Sequence, residues 1–197
     1  MVIHKDSARL KTRLQKLLPQ AIAWSGVGYR SASTKYANST DITTGIGSMK
    51  SGGRWNPLGS FPTVYLSREL ETAFKESFAH LSYFGFEPHM ALPRTFAAVQ
   101  LKLHRILDLT DPNILKSLKV SRRSLVKQDW RKIQDADGEA LTQAIGRLAY
   151  ELGYEGILAP SAPARGGTNL VYFPSSLLAT SRTEVLKPEQ LPQKQTE

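Results

Sequence analysis

The chain has 197 residues, 41% of them hydrophobic and 22% charged, which suffices for one domain with a real core and is short for two. It contains no cysteine, which excludes disulfide frameworks, thiolate zinc sites and cysteine nucleophiles, so any chemistry falls to oxygen, nitrogen and backbone groups. A net charge of +9 and a pI near 9.8 favour an anionic partner, although nucleic acid, an acidic protein and a phosphate-bearing small molecule satisfy that field alike.

In chain order, Leu10, Leu14, Leu17 and Leu18 recur at helical intervals until Pro19 ends the pattern, predicting an amphipathic helix over 7–18 within an N-terminal segment, 1–25, packed on the domain. Lys11, Arg13, Gln15 and Lys16 interrupt this stretch, so it does not read as a signal peptide, and no apolar run reaches membrane-spanning length. A cytoplasmic protein is expected. From Gly26 to Gly59 the chain is rich in Gly, Ser, Thr and Asn, a composition that suits loops near a ligand.

Thr63 to Leu66 reads as a short strand, with Ser67 available to cap a helix whose apolar stripe is Leu70, Ala73, Phe74, Ser77, Phe78 and Leu81. Glu76 falls off the centre of that stripe. Alternation at Ala97, Val99, Leu101 and Leu103 predicts a strand with one covered face, closed by Asp111 and Pro112. Residues 113–134 are the most basic part, but few aromatic residues interleave with the charge. A partly helical, solvent-facing segment is expected there, with a partner-contacting insertion as the other reading; direct nucleic-acid binding is not favoured.

A further helix carries Leu141, Ala144, Ile145, Leu148 and Leu152, with Gly153 at its C-terminal end. Strands about 156–159 and 169–173 flank a loop holding Ser161, Arg165, Gly166 and Gly167, and the polar stretch 181–197 is expected to fray after Thr183. His4, His80, His89 and His104 are far apart and lack the spacing of a helix-borne metal site, so they are read as structural and no metal is expected.

One set of segments is more specific. Tyr29-Arg30, then Gly53-Arg54-Trp55-Asn56-Pro57-Leu58-Gly59, then Val64-Tyr65-Leu66-Ser67, then Ala73-Phe74-Lys75-Glu76 and finally Ala159-Pro160-Ser161 together resemble the RES-domain family, named for an arginine, a glutamate and a serine. The resemblance covers roughly 26–180. It implies an α+β fold similar to ADP-ribosyltransferases, a mixed β-sheet core with surrounding helices. It also implies the toxin of a bacterial toxin-antitoxin pair, degrading NAD by hydrolysis or phosphorolysis and neutralised by an Xre-type helix-turn-helix antitoxin. NAD would be the substrate and not a recycled cofactor.

The residue types suit that chemistry. Breaking the nicotinamide-ribose bond builds positive charge on the sugar, which one carboxylate stabilises electrostatically; Glu76 is the candidate. Nicotinamide leaves neutral, so a general acid is not obligatory. Arg30 and Arg54 match the family's arginines, and a guanidinium fork suits a diphosphate. Tyr65 could stack on the nicotinamide or orient a ribose oxygen, Ser161 could bind the nicotinamide amide or ribose, and Trp55 and Asn56 belong to the same binding block.

Each residue has a plainer reading. Glu76 could be solvated helix surface, Tyr65 a packed strand aromatic, Arg54 and Trp55 a cation-π pair, and Ser161 an ordinary loop serine. The rival functions are ADP-ribosyl transfer to a protein target, a basic nucleic-acid-binding module, and an inactive relative that only binds a partner.

Overall fold

Leu10, Leu14 and Leu17 become one buried stripe on helix α1 (Ser7–Leu17), each contributing about 1.5–3 kcal/mol by leaving water. The computed structural model that shows this describes residues 1–83 and 85–192, without the side chains of His80, Pro88 and Ala91. The chain then enters strand β1 (Ile22–Ser33) and two short helices, α2 (Ser39–Thr44) and α3 (Ile46–Ser51). Strand β2 (Val64–Ser67) leads to helix α4 (Leu70–Tyr83) and the long strand β3 (Arg94–Asp108).

Asp111 caps α5 (Pro112–Leu118), which is followed by α6 (Arg122–Lys127), α7 (Trp130–Asp135) and α8 (Leu141–Glu151). Strands β4 (Gly156–Pro160), β5 (Thr168–Tyr172) and β6 (Arg182–Val185) complete the chain. Among the described residues no helix is long and apolar enough to cross a membrane.

The six strands form one mixed sheet in the order β1-β2-β5-β4-β3-β6, and β1 also pairs with β3, so five of them close on themselves and β6 lies along β3. Only β3 and β4 run parallel. Strands β4 and β5 are covered on both faces, which explains their unbroken apolar runs. Ile157, Ala159, Val171 and Phe173 face a core built with α1, α5, α6 and α8, while Leu158, Leu170 and Tyr172 face a second core with β1, β3 and Ile42.

Four expectations change. Residues 26–33, expected as loop, are the second half of β1, because eleven paired positions along β3 outweigh glycine's poor strand propensity. Gly28 has a packing reason to be there: a Cβ would stand 3.0 Å from the side chain of Leu66. The stretch after Thr183 is not all frayed, since Arg182–Val185 pairs with β3 at Val99 to Lys102; 193–197 lie outside the described residues.

The stripe expected on α4 is also displaced. Leu70 and Phe74 are each 51% exposed, and the buried side is Thr72, Ala73 and Ser77, small residues that let the helix lie close to β1 and β2. Ser67 does not cap α4; its hydroxyl donates to Asn169 Oδ1 on β5.

Candidate active site

Tyr65, Val171 and Ile157 stand in the core on neighbouring strands, and continuing each row by one or two side-chain steps ends it on a polar residue. On β2 the row goes from Tyr65 to Ser67, on β5 from Val171 to Asn169, and beyond β4 from Ile157 through Ala159 to Ser161. Ser67, Asn169 and Ala159 are directly opposite one another in register. These polar row ends meet Glu76, which α4 carries across them. Ser161 donates its hydroxyl to Glu76 Oε1 at 2.8 Å, and the Asn169 amide donates to the same oxygen at 2.5 Å. Oε2 takes no hydrogen bond among the described residues.

A cleft of about 570 Å³ opens here, within the range of small-molecule sites. Arg30, Arg54, Trp55, Tyr65 and Glu76, five of the seven residues expected from the sequence, line it together. Glu76 is the single carboxylate among the lining residues, against the guanidinium groups of Arg30, Arg54, Arg94 and Arg131. Such a lining suits an anionic ligand with one centre where positive charge develops.

Arg54 is tethered through Nη1 to the carbonyls of Leu125 (2.8 Å) and Gln128 (3.2 Å). Its guanidinium sits below its ordinary pKa because burial penalises the charge; Glu76 opposes that shift and Arg131 adds to it. Arg54, Arg131 and Glu76 therefore share one electrostatic neighbourhood. Arg30 is tethered through Nη1 to the Ile42 carbonyl at 2.8 Å; burial lowers its pKa too, opposed by the nearby Tyr172 phenol and the Asp41 carboxylate. Both arginines keep Nε and Nη2 donors that no described protein group takes. The cation stacked on aromatic rings is not Arg54 but Arg131, 4.5 Å over Trp130 and 4.6 Å over Tyr83.

Asn56 and Ser161 lie behind the lining. Asn56 is fully buried, its amide donating to the Ser48 carbonyl (2.8 Å) and its Oδ1 accepting from the Tyr65 hydroxyl (2.7 Å). That hydroxyl also accepts the Trp55 N–H at 2.9 Å, so it braces the Arg54 loop while the ring of Tyr65 lines the cleft. Gly53 makes this possible, because a Cβ there would collide with the Tyr65 hydroxyl. Burial pushes the Tyr65 phenol well above its ordinary pKa. The Ser161 hydroxyl is committed to Glu76 and to the Ala164 N–H it accepts at 3.1 Å.

Sequence reasoning missed Asn169, Tyr29, Arg94, Trp130 and Arg131 as site residues. Trp130 and Arg131, with the carbonyls that hold Arg54, come from the basic stretch 113–134, which thus builds the cleft wall. Asn169 did carry a signal: a polar, poor strand former heading an apolar strand. Of the histidines, His4 accepts the Asp6 N–H, His89 is exposed and His104 is on β3; the side chain of His80 lies outside the described residues.

The comparisons with known proteins agree with one another. NAD(+) phosphorylase MbcT of Mycobacterium bovis is 27% identical over 152 residues, 76% of this chain and 73% of the relative, and MbcT of two Mycobacterium tuberculosis strains matches equally. The crystal structure of the M. tuberculosis MbcT-MbcA toxin-antitoxin complex contains a chain with the same fold, at a TM-score of 0.67 and 22% identity, covering 93% of this chain and 98% of that one. The RES domain model matches residues 28–192. The chain belongs to the RES domain family.

Proposed function

We propose that this protein degrades NAD by cleaving the bond between nicotinamide and ribose, and that it acts as the toxin of a toxin-antitoxin pair. The observation that carries the reading is the anchored carboxylate: Glu76 Oε1 is held by Asn169 and Ser161, Oε2 is left for a ligand, and Arg30 and Arg54 line the same cleft. RES family membership and the resemblance to MbcT support the substrate.

In this reading the two guanidiniums take the diphosphate through their unused N–H donors. The ring of Tyr65 packs on the nicotinamide end, and the sugar carbon faces Glu76. As the C1′–N bond breaks, its electron pair leaves with nicotinamide, which becomes neutral, and the positive charge left on the ribose lies against the Glu76 carboxylate. Water attack then gives ADP-ribose and a proton, whereas phosphate attack gives the ADP-ribose phosphate. The Ser161 hydroxyl works through Glu76 and is not the nucleophile.

The fold neighbour comes from a toxin-antitoxin complex. The proposed partner is accordingly an Xre-type helix-turn-helix antitoxin that restrains the enzyme in the bacterial cytoplasm. Purified protein incubated with NAD, with and without phosphate, tests the reading. Nicotinamide is released and Glu76→Gln abolishes release; an inactive wild type in both buffers overturns the proposal. Label from NAD appearing on macromolecules would instead indicate ADP-ribosyl transfer.

A further inference from the structure

We infer that Asn169 is the positioning residue for Glu76, and that Ser67 holds the amide of Asn169 in place. This rests on the proposed NAD-cleaving role of the cleft. Asn169 is the central residue of a three-strand row, opposite Ser67 on β2 and Ala159 on β4. Its main chain serves the sheet, so the amide group of the side chain is not needed for pairing, and asparagine is disfavoured at such a position. Its presence there calls for a reason at the side-chain level.

The hydrogen bonds supply one. Ser67, 3% exposed, donates its hydroxyl to Asn169 Oδ1 at 2.8 Å. The carboxylate, which can only accept, takes the NH₂ end of the amide, which can only donate, at 2.5 Å from Oε1, and this leaves Oδ1 to accept from Ser67. Ser161 brings a second donor to the same oxygen from the loop after β4. Two donors on one oxygen, one from β5 and one from the loop after β4, hold the carboxylate, and the other oxygen is left for the cleft. The carboxylate's orientation is therefore set by β2 and β5 as much as by its own helix. A carboxylate that must face a developing charge gains from such advance positioning, and a misplacement of about 1 Å costs about 100-fold in rate.

Asn169→Ala removes the donor, and Ser67→Ala takes away the hydroxyl that anchors the other end of the amide. Asn169→Asp replaces the donor with a second carboxylate, whose like charge favours the protonated form of the pair. Among the described residues, the other charged or titratable groups facing Glu76 are Arg54 from the loop after α3, Arg131 from α7 and Tyr65 from β2, and all are retained in these variants.

The experiment follows nicotinamide release together with the Glu76 side-chain carboxyl ¹³C resonance, assigned by its loss in Glu76→Gln. Asn169→Ala should lower kcat about 100-fold with little change in KM, and Ser67→Ala about tenfold. Asn169→Asp should move the acid limb of the kcat profile to higher pH. The amide spectrum reports folding, and if Asn169→Ala does not fold, Ser67→Ala and its hydroxyl-retaining counterpart Ser67→Thr decide between loss and recovery. Unchanged kcat with an unmoved Glu76 resonance in folded variants overturns the inference while leaving NAD cleavage intact. If wild type releases no nicotinamide, the proposed function fails, and the carboxyl resonance alone still judges whether Asn169 holds Glu76.

Discussion

Replacing Tyr65 with Phe removes a single oxygen, and the structure makes that oxygen a keystone of the Arg54 loop. The hydroxyl accepts the Trp55 N–H at 2.9 Å and donates to Asn56 Oδ1 at 2.7 Å. Trp55 is 3% exposed and Asn56 fully buried, so neither stranded group regains water easily. A buried polar group left without its partner costs about 1–3 kcal/mol, and two of them, offset by no longer burying the phenol oxygen, give a net loss of about 2–4 kcal/mol. For a chain of this length that corresponds to a fall in Tm on the order of 10 °C.

Urea denaturation followed by tryptophan fluorescence measures the difference. Because burial raises the folded-state phenol above its unfolded value, the Tyr65 contribution is complete below the unfolded pKa and is lost as pH rises through the folded one. The gap between wild type and Tyr65→Phe should therefore stay constant from about pH 6 to about pH 9. In a variant that remains folded, KM should change little, since the ring is retained. A Tyr65→Phe variant within about 0.5 kcal/mol of wild type would refute the keystone argument.

Glu155, fully buried, is the acid-sensitive point of the scaffold. Burial opposes its charge, but Ser181 and the N–H groups of Leu178, His104 and Arg105 outweigh that and hold the carboxyl below its ordinary value near 4.5. Its contribution is thus present above that value and is lost as pH falls through the folded one, and Glu155→Gln should cost about 2–4 kcal/mol at neutral pH and flatten the acid side of the stability profile in chemical denaturation. Gly146→Ala would gain about 1 kcal/mol of helix propensity in α8, yet its Cβ would collide with the Trp55 carbonyl oxygen. A net loss of about 1–3 kcal/mol by thermal melting is expected, with a fall in turnover through displacement of Arg54. Arg54→Lys cannot reproduce the fork that meets two carbonyls and a ligand, so kcat/KM should fall about 10–100-fold in a nicotinamide-release assay.

Much of this architecture is legible in the periodicity of the chain. Period-3.6 leucines located α1 and α8, and period-2 alternation located β3. The signals are strong where one face alone is buried, as on α1 and β3. The same logic failed on β1, whose Gly26 and Gly28 look like loop residues until β3 and Leu66 are laid beside them. It failed on α4 because Phe74 stacks on Phe96 at the surface instead of entering the core.

In the site, Arg30, Arg54, Tyr65 and Glu76 were legible because they sit in ordered motif segments, and the cleft joins them. Asn169 and Arg131 were not, since their significance comes from long-range contacts with Glu76 and with the loop carrying Arg54. Trp55-Asn56 and Ser161 were legible as positions but not as mechanics. Asn56 and Ser161 hold Tyr65 and Glu76, while the Trp55 N–H is held by Tyr65.

The most direct test of the central claim is a crystal structure of Glu76→Gln with NAD, in which the substrate is bound and not consumed. The account predicts diphosphate oxygens against the guanidiniums of Arg30 and Arg54, with the nicotinamide ribose beside residue 76. A nucleotide seated outside this cleft, or a sugar remote from residue 76, would contradict it.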